Sequence, residues 1–246
     1  MKAMVLAAGL GTRLRPLTDE RPKALVEING KTLLEITLAR LREFGVREVI
    51  VNVHHFADMV VQYLAAKQNF GIRIEVSRED GLLLDTGGGL KKAGWFFRED
   101  ARHEPFLLHN VDVISDIDLA RMVEFHRSQR ALATLAVMER KSSRQLLFDE
   151  NGWLCGRRFE KDGRTELARE ADELTPLAFC GIHVISPRML ERMTEEGAFS
   201  IIETYLRLAG EGEKIVAYRA DGAYWRDLGT IESLEQAQEQ TRHFGC

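Results

Sequence analysis

Positive charge and glycine are concentrated in the first 23 residues. The short apolar run Lys2 to Ala7 is of strand length. It leads into Ala8-Gly9-Leu10-Gly11-Thr12-Arg13-Leu14-Arg15-Pro16-Leu17-Thr18 and then Arg21-Pro22-Lys23. Glycine lacks a Cβ, so a strand that runs into glycines can bring backbone N–H groups close to an anion. Arg13, Arg15 and Lys23 add cationic donors, and the planar fork of Arg suits phosphate oxygens. The pattern is not a Walker loop, which ends in Gly-Lys-Ser/Thr, and it lacks the third glycine of the dinucleotide fingerprint. A Gly-x-Gly taken alone also serves as an ordinary strand-to-helix turn.

Carboxylates at the ends of apolar runs form a second group. Phe106-Leu107-Leu108-His109-Asn110-Val111-Asp112-Val113 reads as a buried strand closing on Asp112. A carboxylate there needs a partner. In a phosphate site the fitting partner is Mg²⁺, which takes oxygen ligands from one or two carboxylates and from substrate phosphates. Asp116 and Asp118 are placed instead to cap a helix over Leu119 to Arg127. Asp227 lies in Tyr224-Trp225-Arg226-Asp227-Leu228-Gly229-Thr230, where it and Thr230 could also be turn and N-cap residues before a helix over Ile231 to Gln240. A third group, Leu84-Asp85-Thr86-Gly87-Gly88-Gly89-Leu90, sets three glycines ahead of a helical stretch, Leu90 to Phe97. Such glycines let the main chain approach a flat ligand, while Asp85 or Thr86 could simply cap the helix.

Taken together, these strings resemble the signature of the nucleotide-sugar pyrophosphorylases, the sugar-1-phosphate nucleotidyltransferases. The resemblance spans nearly the whole chain and implies that a sugar 1-phosphate oxygen attacks the α-phosphorus of an NTP and releases pyrophosphate. It implies catalytic roles for Arg13, Lys23, Asp112 and Asp227. Arg13, with the backbone of Gly9 to Thr12, would stabilise the leaving pyrophosphate. Lys23 would offset charge at the transferring phosphate, and Asp112 and Asp227 would hold Mg²⁺. The nucleotide would rest on Leu6, Ala7, Ala8, Gly9, Gly11, Thr12, Arg13, Lys23, Asp85, Thr86, Gly87, Gly88 and Asn110. The sugar phosphate would rest on Asn110, Asp112, Glu160, Gly181 and Asp227.

Several positions depart from the family pattern. Ser77 to Gly81, where the family reads the base edge, holds no glutamine, so the base is poorly determined. Val111 stands at a position where the family usually has a small residue. Cys180 precedes Gly181 where relatives carry a hydroxyl. Within the family the motifs look most like the short uridylyltransferases that act on N-acetylmuramic acid 1-phosphate. That sugar carries a lactyl carboxylate, and Arg144, Arg157 and Arg158 are placed to meet it, unless they are plain surface arginines. Guanylyl transfer to mannose or heptose 1-phosphate, cytidylyl transfer to a phosphocholine-like acceptor and a non-catalytic regulatory homologue are the alternatives. The intact Arg13, Lys23, Asp112 and Asp227 argue against the last.

The elements that must position these residues follow from periodicity. Leu33 to Phe44 have helical apolar spacing with Gly45 as a stop, Val49 to Val53 and Ile72 to Val76 are buried strands, and Phe56 to Ala66 is a helix. His54 and His55, adjacent at a strand end, point to opposite faces and read as a near-solvent pair rather than a metal site. Strands alternating with helices imply an α/β fold, a Rossmann-like three-layer sandwich with a mostly parallel mixed central sheet. Ligands in such sheets lie beyond the carboxyl ends of the strands. From about residue 131 the pattern turns mixed. There is a strand over Ala131 to Met138, a hairpin of Gln145 to Phe148 with Trp153 to Phe159 around Asn151-Gly152, and a strand over Leu177 to Ile185. A helix over Ile201 to Leu208 and a strand over Lys214 to Tyr218 follow. Glu160 to Glu173, with nine charged residues of fourteen, reads as a solvated loop. We expect one domain over 1–246, with about 1–130 as a nucleotide-binding half and about 131–246 as a sugar-binding half, and no β-helix domain.

Composition limits the rest. Hydrophobic content of 45% and charged content of 29% over 246 residues fit a soluble globular α/β chain. A net charge of −4 offers no electrostatic case for nucleic acid. Cys155, Cys180 and Cys246 have no Cys-x-x-Cys spacing and fit a reducing cytoplasm. No run has the ~20 apolar residues of a membrane span, and no export signal is read. No nucleic-acid or membrane partner is expected, and the resemblance implies an NTP and a sugar 1-phosphate as partners, on a monomer or small homo-oligomer.

Overall fold

A computed structural model describes residues 1–99 and 104–243; Cys246 lies outside the described residues. The first half runs β1 (Lys2–Leu6), β2 (Glu27–Ile28), β3 (Lys31–Thr32), α1 (Leu33–Glu43), β4 (Glu48–Val53), α2 (Ala57–Ala66), β5 (Arg73–Arg78), α3 (Asp85–Arg98), β6 (Phe106–Asn110), β7 (Val113–Ser115) and α4 (Leu119–Gln129). The rest runs β8 (Ala133–Met138), β9 (Arg144–Phe148), β10 (Leu154–Phe159), β11 (Thr165–Leu167), β12 (Thr175–Ile185), α5 (Arg188–Arg192), α6 (Ile201–Gly210), β13 (Ile215–Arg219), β14 (Trp225–Asp227) and α7 (Ile231–His243).

The main sheet is mixed about a parallel heart. β6, β1, β4 and β5 are neighbours and all parallel. β12 joins the other side of β6 antiparallel and also pairs β8 and β9, and β10 and β11 extend the antiparallel flank. β13 lies parallel to β8. The α/β sandwich with a parallel-centred mixed sheet is as the alternation of elements implied. Strand side chains alternate between faces. Ala3 and Val5 of β1 join a core with Leu34 and Leu38 of α1, Val60 and Leu64 of α2, and Met122 of α4. Met4 and Leu6 join a core on the opposite face with Leu90 and Phe96 of α3 and Tyr205 of α6. The sheet is thus the middle of three layers. The register brings three strand ends level, since Leu6 pairs with Asn52 of β4 and with Asn110 of β6.

Caps and turns mostly follow the chemistry of their residues. Asp118 accepts the Arg121 N–H at 3.0 Å and caps α4, and Thr230 accepts the Ser233 N–H at 3.2 Å at the start of α7. β9 and β10 pair antiparallel around Asn151-Gly152. His54 and His55 make separate contacts, one with the Glu79 carbonyl and the other with the Phe56 ring.

Two readings of the sequence are corrected, and one strand pairing is added. α3 begins at Asp85, five residues before the expected start at Leu90, because Gly87 to Gly89 are packing positions in its first turns. A Cβ at Gly88 would lie within 2.5 Å of the Gly197 carbonyl, and one at Gly89 would lie 2.8 Å from both Asn52 and Glu79. The charged run Glu160 to Glu173 is not all loop, because β11 pairs with β10 and is held by an Arg157–Glu166 ion pair at 2.6 Å. Finally, β7 and β14 form an antiparallel pair separate from the main sheet.

Three buried histidines, His109, His126 and His183, give the fold an acid sensitivity. His183 donates or accepts at the Tyr205 hydroxyl, and His126 does so at the Thr134 hydroxyl. His183 is held at about 3, chiefly by burial and then by His109; His126 is held at about 4, chiefly by burial and then by Arg127; and His109 is held at about 4, chiefly by burial and then by Arg40. All three rings are neutral in the folded chain at pH 5, while in the unfolded chain they take up protons below about 6.5. Their contribution to stability is therefore present above about pH 6.5 and is lost as pH falls toward the folded values. Each group is expected to cost about 2 kcal/mol between pH 7 and pH 5, or about 6 kcal/mol for the three. Denaturant unfolding at the two pH values reads this. His126→Gln is expected to remove about a third of the loss, and equal stability at pH 5 and pH 7 would contradict it.

Candidate active site

The level strand ends leave a hollow between the two helix layers. A cavity of about 560 Å³ opens there, lined by Leu6, Ala7, Ala8, Gly9 and Lys23 from the N-terminal segment, Asn52 from β4, Leu83, Asp85 and Thr86 at the start of α3, and Asn110, Val111 and Asp112 after β6. This is the position beyond the carboxyl ends of parallel strands where α/β sheets bind ligands. A second, larger cavity of about 860 Å³ adjoins it. Arg13, Asn110, Val113, Arg140, Arg144, Arg157, Gly181, Trp225 and Asp227 are among its lining residues. Asn110 belongs to both walls.

Eight of the residues assigned to the nucleotide line the first cavity: Leu6, Ala7, Ala8, Gly9, Lys23, Asp85, Thr86 and Asn110. Gly11, Thr12, Gly87 and Gly88 do not. Gly11 takes φ 65° in the turn closed by a 2.9 Å bond from the Thr18 hydroxyl to its carbonyl. Gly87 gives its N–H to the Phe199 carbonyl at 2.9 Å, so Gly87 and Gly88 pack behind the cavity wall instead of against a ligand. Thr86 caps a helix other than its own, since its hydroxyl accepts the Ile201 N–H at the start of α6 at 3.0 Å. Arg13 points into the second cavity, 4.0 Å from Asp227, and not into the first.

The charged centre sits where the two cavities meet. Lys23, 8% exposed, is ion-paired to Asp112. Asp227 pairs in register with Val113 in the β7–β14 ribbon, and the Leu228 N–H donates to the Asp112 carbonyl at 2.8 Å. The two carboxylate-bearing segments, far apart in the chain, are thus joined backbone to backbone. Asp227 also accepts the Gly229 N–H at 2.7 Å. Half-buried Arg40 of α1 fastens this ribbon by donating to the Ser115 carbonyl and hydroxyl and, at 2.6 Å, to the Ile117 carbonyl. Desolvation lowers its pKa, partly offset by Asp116.

Gly181 lines the second cavity at φ 73°, in an irregularity of the β12–β8 ladder. A Cβ there would lie 2.8 Å from the Asn110 amide, so glycine is needed to let β12 pass the shared wall. Cys180 beside it is buried, its thiol pushed up to about 11 chiefly by desolvation, as an inert core cysteine should be. Glu160 is exposed at the end of β10, and it and Arg158 line neither cavity. Residues that the sequence did not single out are Asn52, whose burial depends on a distant strand, and Arg140. Arg140 lies 3.8 Å over the Trp225 ring and donates to the Phe179 carbonyl at 2.7 Å.

The fold and the glycine-rich strand end are those of a nucleotidyltransferase, and the chain belongs to the nucleotidyl transferase family, whose profile matches residues 2–243. It is 35% identical over 240 residues, 96% of this chain and 95% of the relative, to an N-acetylmuramate alpha-1-phosphate uridylyltransferase of Caulobacter vibrioides. It is 31% identical over 235 residues, 94% of this chain and 62% of the relative, to a mannose-1-phosphate guanylyltransferase of Mycobacterium tuberculosis. The crystal structure of HddC from Yersinia pseudotuberculosis complexed with GMP-PN shares the fold, with a TM-score of 0.75 at 21% identity over 98% of this chain and 99% of that one. Among the described residues no helix is long and apolar enough to cross a membrane.

Proposed function

We propose that the chain transfers a nucleoside monophosphate from an NTP, UTP in preference, to N-acetylmuramate 1-phosphate, giving an NDP-sugar and pyrophosphate. The observation that carries this reading is the junction of the two cavities. Lys23 and Asp112 face the smaller cavity, Asp227 and Arg13 face the larger, and Asn110 walls both. In this reading the half formed by about 1–130 seats the nucleotide in the smaller cavity, with Asp85 and Thr86 at one wall and Ala7 to Gly9 at the other. The half formed by about 131–246 seats the sugar phosphate in the larger one.

The nucleophile is a phosphate oxygen that is already anionic, so no general base is required. The barrier is one of alignment and of charge on the transferring phosphate. Lys23 supplies a positive charge there, and Arg13, 63% exposed, would supply one to the leaving pyrophosphate by turning from the second cavity. The P–O bond to the β-phosphate breaks as the sugar phosphate oxygen bonds to the α-phosphorus, and the electron pair leaves on pyrophosphate.

A divalent metal fits the donor set. Asp112 and Asp227 offer hard carboxylate oxygens from joined strands, and among the described residues no group of three or more metal-binding side chains converges. Two carboxylates with the remaining ligands drawn from substrate and water is the way Mg²⁺ is usually held. When bound, it would neutralise negative charge on the phosphates.

Anionic sugar selectivity is supported by the second cavity. Arg13, Arg140, Arg144, Arg157 and Arg226 line it against a single lining carboxylate, Asp227. Arg157 is neutralised in part by Glu166, and Arg144 is exposed at the start of β9 with no ion pair among the described residues. Arg144 is therefore the better candidate for the lactyl carboxylate. The site is proposed to work in the cytoplasm, as a monomer or small homo-oligomer.

A pyrophosphate-release assay crossing UTP, GTP, CTP and dTTP with N-acetylmuramate, mannose and heptose 1-phosphates and with phosphocholine tests the substrate assignment. UTP with N-acetylmuramate 1-phosphate is expected to lead. Strong turnover of GTP with mannose 1-phosphate, and none with UTP, would overturn it.

A further inference from the structure

Behind the nucleotide cavity lies a buried polar pair that no step above uses. Asn52, at the end of β4, is 2% exposed, and Glu79, just past the end of β5, is 1% exposed. The Asn52 Oδ1 accepts the Ala7 N–H at 2.8 Å. Its Nδ2 donates to one Glu79 carboxylate oxygen at 2.6 Å, and the other oxygen accepts the Leu84 N–H at 2.8 Å. The chain Ala7, Asn52, Glu79, Leu84 therefore ties the strand end that opens the glycine segment to the residue that opens α3. Those two segments form opposite walls of the cavity, through Ala7 to Gly9 on one side and Leu83 to Thr86 on the other. Asn52 itself lines the cavity, whereas Glu79 does not.

Every donor and acceptor in this chain is assigned without ambiguity. The Ala7 N–H can only donate, so the Asn52 amide must present oxygen to it and nitrogen to Glu79. A carboxylate is acceptor-only and satisfies both of its donors. Gly89 completes the fit, because a Cβ there would come within 2.8 Å of both Asn52 and Glu79 and push the latch apart. A buried carboxylate is costly unless fully hydrogen-bonded, and a plain packing role would be filled more cheaply by apolar side chains.

We propose that Glu79 is a positioning residue that, through Asn52, sets the spacing of the two walls of the nucleotide cavity and hence its affinity for NTP. This rests on the reading of the cavity as the NTP site. Glu79→Gln brings an amide N–H against either the Asn52 amide or the Leu84 N–H, so one bond is lost whichever way it turns. Asn52→Asp sets two carboxylates face to face. The double variant Asn52→Asp/Glu79→Gln reverses the polarity of the central bond. The amide introduced at position 79 then donates to the carboxylate introduced at position 52, while the bonds from Ala7 and Leu84 both remain.

The test is equilibrium binding of UTP and GTP to the full-length enzyme, with KM for NTP and for the sugar phosphate measured alongside. Each single variant is expected to weaken NTP binding about tenfold or more, the equivalent of about 1.4 kcal/mol. KM for the sugar phosphate is expected to change less than about twofold, since the second cavity is not part of the latch. The double variant should bind NTP at least about fivefold more tightly than either single variant. A merely structural role would lower the melting temperature without separating the two KM values. If a single variant does not fold, recovery of folding and NTP binding in the double variant supports the latch, and no recovery overturns it. Single variants that fold and bind NTP like wild type, or a double variant that is additive, also overturn it. Wild-type chain that binds no NTP would instead refute the assignment of the cavity.

Discussion

Asp227→Ala is expected to fold and melt close to wild type while losing turnover by on the order of a hundredfold or more. Its side chain is 43% exposed and its main structural bond is a local one, to the Gly229 N–H. The β7–β14 ribbon that places it is held by backbone pairing and by Arg40, neither of which needs its carboxylate. Asp112→Ala is expected to lose turnover to a similar degree, but with a stability cost that Asp227→Ala does not share. Its carboxylate is only 16% exposed and is the ion-pair partner of Lys23. Removing it strands the charge of a lysine that is 8% exposed, which typically costs about 1–3 kcal/mol. Steady-state rates with Mg²⁺ and thermal melts on both variants separate the two effects. A near-wild-type rate in either would remove that carboxylate from the chemistry.

Much of this site could be read from the chain because its residues sit at the ends of apolar runs. Ala7 to Gly9 and Asp112 follow strands whose burial is written locally, in the apolar runs Ala3 to Leu6 and Phe106 to Leu108, and the strand-to-helix alternation fixed where those ends must lie. What stayed hidden depends on contacts between distant segments. Gly87 to Gly89 read as an open approach to a ligand, but what crowds them is Phe199, Gly197, Asn52 and Glu79, none of which is near in sequence. The Asn52–Glu79 bond joins the ends of two strands 27 residues apart, and nothing in either local pattern marks those side chains as buried. β11 is masked by the charge around it, because Glu166 is balanced by Arg157 on the paired strand β10 and by Arg164 two residues before it rather than by solvent. Glu160 is the converse case. The family resemblance drew attention to it, and the hairpin turns it out to solvent, away from both cavities.

Lys23→Met should lower the rate by about a hundredfold or more, and Lys23→Arg by clearly less, because what the site needs there is positive charge at the transferring phosphate. The structure adds a second expectation. In the free chain Lys23 is committed to Asp112, so the ammonium offsets the same carboxylate that is proposed to hold the metal. Lys23→Met leaves Asp112 without its counter-charge, and the substrate-free protein should then bind Mg²⁺ more tightly even as it turns over more slowly. A rate loss with weaker metal binding would point to collapse of the pocket instead. An unchanged rate in Lys23→Met would show that the charge has no part in the reaction.

The central claim is transfer of an intact nucleoside monophosphate onto a sugar 1-phosphate, and following the α-phosphorus tests it most directly. NTP labelled at the α-phosphate is incubated with the protein, Mg²⁺ and N-acetylmuramate 1-phosphate, and the products are separated. The label is expected in the NDP-sugar, with one unlabelled pyrophosphate released for each molecule formed and no release when the sugar phosphate is omitted. Label recovered as free NMP, or pyrophosphate released equally with and without any sugar 1-phosphate, would contradict it.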